Sequence, residues 1–352
     1  MAVRDTENAI EQVDLPSNQP DNLWNLDRLD QRDNQLDGQF NPEATGKNVV
    51  VYVIDTGIRY SHNELEGRAH YPGFDVIDEM TGSNLQGRDC QGHGTFVAST
   101  ITGKTFGIAK DTTVYSARQW NGKNDTHSIR TMSLSAIIQA MDRIVEHHRS
   151  IGKPPAVISG SIQQNASVLF NNAVRDVSSH GIVFVCSSGN FHPEKKRFDD
   201  KSQHACDYSP PSARDAISIG ATGPNDSALY FSCAGACMDV FAPGQNITGA
   251  SINCDDCKAM HRGTSASCPH GSAVAAILLE MYPNYTPRQI KEKMIEHSTK
   301  GIVDLSAYPR LLARATPNRL LYIPSKKAKD RDIKQSSDQE LMPLFQIPED
   351  IQ

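Results

Sequence analysis

From Lys47 onward the apolar positions of this chain fall into short unbroken runs separated by longer amphipathic ones. "NVVVYVI" (48–54) is a continuous, mostly β-branched run. Runs of this kind are buried on both faces of a parallel sheet. "TTVYSAR" (112–118), "AVIS" (156–159), "IVFVC" (182–186) and "AISIG" (216–220) read the same way. Between them the period changes to that of a helix. Residues 134 to 148 place Leu134, Ile137, Ile138, Met141, Ile144 and Val145 on one face, and Gly152-Lys153-Pro154-Pro155 stops that helix. Residues 167 to 180 group Val168, Leu169, Ala173, Val174 and Val177, and His180-Gly181 ends the segment. Residues 287 to 298 read as a last amphipathic helix. Strands alternating with helices predict an α/β fold, a mostly parallel sheet covered by helices on both faces. Ligands in such folds sit at the carboxyl ends of the strands.

"MHRGTSASCPHGSAVAAILLEMYP" (260–283) is the longest apolar helical stretch, and it opens on Gly263-Thr264-Ser265. Two readings of Ser265 stand side by side. It is a helix cap, or it is a nucleophile presented at a helix N-terminus. Pro269, four residues later, suits a first turn, where no N–H is missed. The ends of the chain are different. Residues 1–20 show no periodicity, and "KKAKDRDIKQSSDQE" is charged and almost without large apolar groups. The expected organisation is an extension at 1–20, one catalytic-size domain over 21–322 and a solvated tail over 323–352.

Composition narrows the function classes. The chain has 352 residues, 38% of them hydrophobic, with a net charge of −6 and no basic stripe. Nucleic acid is therefore not an expected partner. The run Ala273 to Leu279 is too short to span a membrane. The polar N-terminus lacks the apolar core of a secretory signal, which leaves either a cytosolic protein or a removed leader. Eight cysteines follow no zinc spacing; Cys254-Asp-Asp-Cys257 has no second pair to complete a set. Five N-x-S/T sequons, at Asn124, Asn165, Asn225, Asn246 and Asn284, favour secretion only weakly.

The chemistry gathers where strands end. Asp55 closes the first buried run, His93 sits between two glycines in "DCQGHGTFVAST", Gly189-Asn190 follows another buried run, and Ser265 opens a helix. Each alone reads as a turn or a cap. Together they supply what acyl transfer needs. A serine hydroxyl needs an imidazole to take its proton. The imidazole needs a carboxylate to fix its tautomer, and the oxyanion needs preorganised donors.

The order Asp…His…Ser with an intervening Asn resembles the subtilases. Four blocks carry the likeness, "VYVIDTGI", "GHGT", "SSGN" and "GTSASCPH". "WNLDRL", "YSPPSARDAISIGAT", "DVFAPGQNI" and "TPNRLL" look like the proteinase K branch, and the resemblance covers about residues 21 to 322. It implies a three-layer subtilisin-like fold and a serine endopeptidase needing no cofactor for its chemistry. Asp55 would orient His93, His93 would be the base, Ser265 the nucleophile and Asn190 the oxyanion donor. Peptide or protein substrates would lie between a strand near Met132 and Leu134 and another after Ser159, with Gln163, Gln164 and Gly189 at the pocket.

The cysteine pattern is similar to that of the secreted convertase that binds the low-density-lipoprotein receptor. That likeness implies the pairs Cys206–Cys237 and Cys254–Cys257, with Cys186 and Cys268 packing as small apolar groups. Disulfides tip the expectation toward a secreted protein whose signal peptide is not present in this sequence. A monomer is expected. "NAIEQVDL" resembles the last strand of an inhibitory propeptide. "RDAISIG" and "MDVFAPG" resemble segments that hold a structural calcium in proteinase K relatives, with the Asp215 and Ile217 carbonyls and the Asp239 carboxylate as ligands.

Departures from the family pattern concern the groove. Gln163 and Gln164 stand where the family has glycines, Phe96 and Ser99 replace the His and Gly of "GHGTHVAG", and Ala266 replaces a Met. Neighbouring residues of a strand point to opposite faces, so one of the two glutamines is expected to enter the pocket. Two functions follow. One is an active endopeptidase with a modified groove. The other is a binding protein on the same frame, with little activity beyond self-processing.

Overall fold

Six consecutive buried residues, Val50–Asp55, form strand β1 and set the architecture. The computed structural model describes residues 2–3, 13–16, 21–119, 132–191 and 202–324. Asn124 and the tail over 325–352 lie outside the described residues. The other strands of the sheet are β2 (Ala69–His70), β3 (Thr113–Arg118), β4 (Ala156–Gly160), β5 (Ile182–Ser187), β6 (Ala216–Thr222), β7 (Val240–Pro243), β8 (Thr299–Lys300) and β9 (Arg319–Leu320). Their order is β8-β9-β7-β6-β5-β4-β1-β3-β2. Only the β8–β9 pairing is antiparallel.

Both faces of this sheet are apolar, which is why the strand runs show no alternation. Val51, Val53, Val157, Val183 and Val185 enter one core. Tyr52, Ile54, Ile158, Ile182 and Phe184 enter the other. Eight helices are described: α1 (Trp24–Asp30), α2 (Val76–Thr81), α3 (His93–Thr102), α4 (Leu134–Ser150), α5 (Val168–Ser179), α6 (Thr264–Met281), α7 (Pro287–His297) and α8 (Arg310–Ala315). Residues of α1, α3, α6 and α7 fill the first core, and those of α4 and α5 fill the second. The three layers are therefore those expected.

Helix ends follow local chemistry. Ser133 caps α4 by accepting from the Ala136 N–H at 3.1 Å, and Thr286 and Gln289 form a capping box on α7. The face expected for α5 needs correction. Val168 and Leu169 are exposed, and Phe170, Val174 and Val177 are buried at i, i+4 and i+7. Ser167 caps at Phe170, which turns the first two residues outward.

The ends make pairings and contacts of their own. Val13–Leu15 pairs antiparallel with Lys258–His261, which in turn pairs with Ile247–Ala250. Ala2–Val3 pairs antiparallel with Met132–Ser133. At the other end Ile323 is buried, and its N–H donates to the Leu29 carbonyl at 2.8 Å. The packed body thus runs past 322.

Candidate active site

Asp55 is the last residue of β1, and His93 is the first of α3. The His93 Nδ1 lies 2.8 Å and 2.9 Å from the two Asp55 carboxylate oxygens. Both side chains are buried. A carboxylate can only accept, so Nδ1 carries the proton and Nε2 carries the lone pair. That Nε2 is buried and has no hydrogen-bond partner among the described residues. Burial presses the His93 pKa down, but the charge and hydrogen bond of Asp55, with the charge of Asp89, outweigh it. The result lies above the ordinary 6.5.

The loop before α3 is held by Asp89. Its carboxylate accepts from the backbone N–H groups of Gln91, Gly92 and Thr95 and from the Thr56 and Thr95 hydroxyls. Gly94 allows the segments after Asp55 and around His93 to touch: a Cβ there would lie 2.2 Å from the Gly57 carbonyl oxygen. No larger residue fits.

Ser265 is the second residue of α6 and is buried. The helix N-terminus brings backbone N–H groups and a favourable dipole for negative charge to this point. Pro269 is not in the first turn of that helix, as expected, but one turn further in. Proline removes the N–H that would meet the carbonyl four residues back. That carbonyl belongs to Ser265, and the Ser161 hydroxyl donates to it at 3.1 Å instead. Asn190 lies beside this turn. Its side-chain oxygen accepts from the Thr264 N–H and the Thr264 hydroxyl, both at 3.0 Å. The oxygen being taken, the amide nitrogen is left to donate elsewhere.

The two glutamines have different partners. The Asn190 N–H donates to Gln163 Oε1 at 2.8 Å. Gly189 gives the amide its room, since a Cβ at Gly189 would come within 2.8 Å of it. Gln164 instead joins Gln164–Asn165, which pairs with Tyr208–Ser209. Ser159 is fully buried within β4, where its hydroxyl accepts from Ser272 at 2.9 Å. It does not face the site; Ser161, two residues on, does. Leu134 is half-buried at the start of α4 and packs against the second core. Met132 lies on the short strand paired with Ala2–Val3.

Both expected disulfides, Cys206–Cys237 and Cys254–Cys257, are formed, each with Cα atoms 5.0 Å apart. Cys186 and Cys268 are fully buried in the two cores. Burial raises the Cys268 thiol to about 11, which suits an inert packing group.

At the segments expected to hold calcium, the Asp239 carboxylate faces a lysine. Among the described residues no group of three His, Cys, Asp or Glu gathers. The Asp239 carboxylate meets the Lys291 ammonium at 2.9 Å and the Ser218 N–H at 2.8 Å. The carbonyls on this ammonium are those of Arg214 and Ala216, not of Asp215 and Ile217.

One neighbour of the site was missed. The buried His261 ring stacks on Phe96 at 3.9 Å and stands edge-on to His93 at 6.1 Å between centroids. Neither of its nitrogens has a hydrogen-bond partner among the described residues. Burial first, then the nearby His93, hold its pKa well below 6.5. The available signal was Phe96 itself, which stands where the family pattern has a His.

Known proteins resemble this chain in sequence and in fold. The chain is 37% identical over 303 residues to an extracellular serine proteinase of Thermus sp. (strain Rt41A), covering 86% of this chain and 66% of that protein. It is 30% identical over 309 residues to proprotein convertase subtilisin/kexin type 9 of Rattus norvegicus, covering 86% of this chain and 42% of that protein. It thus spans less than two thirds of these relatives. A crystal structure of a cold-adapted subtilisin-like serine proteinase superposes with a TM-score of 0.73 at 30% identity. That match covers 86% of this chain and 98% of the other. The family profile described as Subtilase family matches residues 46–319, and the chain belongs to that family.

Proposed function

We propose that this protein is a serine endopeptidase in which Asp55, His93 and Ser265 act as the triad and Asn190 as an oxyanion donor. The observation that carries the reading is the Asp55–His93 pair, buried and held by both carboxylate oxygens, with Nε2 unpartnered among the described residues. In the first step His93 Nε2 takes the Ser265 hydroxyl proton as Oγ bonds to the substrate carbonyl carbon. Asp55 stabilises the imidazolium. The oxyanion receives the Asn190 amide and the N–H groups at the start of α6. The imidazolium then protonates the leaving amine, the C–N bond breaks, and water repeats the sequence to release the acid. Ser, His and Asp suffice for this chemistry.

Gln163 narrows the pocket. Its amide lies against Gly189 and holds the Asn190 N–H, so small or polar side chains fit before the scissile bond better than large aromatic ones. Two disulfides and the word "extracellular" in the name of the Thermus relative favour a secreted protein.

A second reading, self-directed activity with little turnover of other peptides, is favoured by one observation. Val13–Leu15 is already paired with Lys258–His261, the strand that leads to Ser265. A fluorophosphonate probe followed by an assay on mixed peptides separates the two. Labelling of Ser265 with peptide cleavage supports the endopeptidase. Labelling without cleavage supports the second reading, and no labelling defeats both.

A further inference from the structure

The place where the subtilase resemblance implies a calcium ion is already taken by a cation that the chain supplies. Lys291 reaches from α7 to the ends of β6 and β7. Its Nζ lies 2.9 Å from Asp239 Oδ2, 2.6 Å from the Ala216 carbonyl and 3.2 Å from the Arg214 carbonyl. An ammonium has three N–H donors, and three acceptors meet them. The Lys291 and Asp239 side chains are 21% and 15% exposed, so the pair is largely shielded. The carboxylate is further fixed from the sheet, since Asp239 Oδ2 accepts from the Ser218 N–H and the Asp239 N–H donates to the Ser218 carbonyl.

Calcium does not fit beside this group. It requires six to eight oxygens at about 2.3–2.6 Å. Here the one carboxylate and two carbonyls are pulled onto the ammonium, and a divalent ion among them would face a positive charge at contact distance. The carbonyl pair also explains the ligands expected from sequence. Successive carbonyls of an extended chain point to opposite sides, so Arg214 and Ala216 share a side that Asp215 and Ile217 do not.

We infer that the Lys291 ammonium replaces a structural calcium, tying α7 to β6 and β7 through Asp239, Arg214 and Ala216. The oxygen set remains a cation site whose cation is covalently attached. Removing the ammonium should therefore turn a calcium-indifferent junction into a calcium-binding one. This inference concerns stability and does not depend on whether the protein hydrolyses peptides.

The test is the melting temperature of the full chain in EDTA and in excess CaCl2, for the wild type, Lys291→Ala, Lys291→Met and Lys291→Ala/Asp239→Asn. Both single variants should melt several degrees below the wild type in EDTA. Lys291→Ala should regain much of the loss in calcium, as a ligand that binds only the folded state requires. The same salt should help Lys291→Met less, because its stem fills the space. The double variant should show no gain beyond that of the wild type. If Lys291→Ala does not fold in EDTA, its refolding yield with and without calcium gives the same comparison. A calcium response of Lys291→Ala equal to that of the wild type would overturn the inference. So would an extra response that survives Asp239→Asn.

Discussion

The His261 imidazole stands edge-on to that of His93, 6.1 Å between ring centroids, and only one of the two is poised to take up a second proton. His93 has Asp55 against Nδ1 and a pKa above 6.5; His261 has no hydrogen-bond partner among the described residues and a pKa well below it. The base must be neutral to work. The rate should therefore fall as the pH drops through a single ionisation lying above 6.5. Asp55→Asn removes the charge that raises it, so the acid limb should move to lower pH while turnover falls by about 10⁴-fold. His261→Phe should leave one limb. A pH profile of kcat/KM with two overlapping acid limbs in the wild type would contradict the assignment.

Gln163→Gly should open the pocket. We expect kcat/KM on peptides with a large aromatic residue before the scissile bond to rise, and the range of accepted side chains to widen. Gln164→Gly should not do this, since Gln164 belongs to the strand paired with Tyr208–Ser209. Profiling the three proteins on one peptide library checks the difference. Unchanged profiles for Gln163→Gly would remove this residue from the pocket.

Ser161→Ala should destabilise the fold and slow the reaction. The Ser265 carbonyl, freed by Pro269, would lose its donor. An acceptor left unsatisfied away from water costs about 1–3 kcal/mol. Urea unfolding should report a loss of that order, and Ser161→Thr should restore part of it. A neutral Ser161→Ala would mean that water serves equally well.

Acid should weaken the junction between α1 and α6. His270 accepts from the Asn25 amide at 2.9 Å and donates to the Ala266 carbonyl at 2.8 Å. Burial lowers its pKa to about 4. Between 6.5 and 4 the unfolded chain takes up a proton that the folded chain refuses, so stability is full above 6.5 and declines as pH falls. The drop attributable to His270 is roughly 3 kcal/mol. Denaturant midpoints at pH 7 and 4.5 should converge in His270→Asn relative to the wild type, after correction for their difference at pH 7.

Much of this fold was legible because burial on both sheet faces leaves continuous runs such as "VVYVID". The triad candidates were legible because each closes a strand or opens a helix. What failed was orientation. Val168 and Leu169 share the helical period with Val174, yet the cap at Ser167 turns them to solvent. Ser159 and Ser161 have the same strand parity, and only the end of β4 separates the buried one from the one at the site. Long-range partners were not legible at all. Lys291 lies over 50 positions from Asp239 in sequence and reads as an ordinary exposed helical lysine until α7 is packed on the sheet.

Asn190→Ala should cut turnover by about 10²–10³-fold, the usual worth of one oxyanion donor. Binding of substrate should change less. A raised KM with kcat unchanged would point to ground-state binding instead.

The most direct test of the account is the peptidase activity of Ser265→Ala. Triad members act as a unit, so the account predicts a loss of several orders of magnitude in kcat/KM with an unchanged circular dichroism spectrum. Wild-type turnover by a correctly folded Ser265→Ala protein would contradict it.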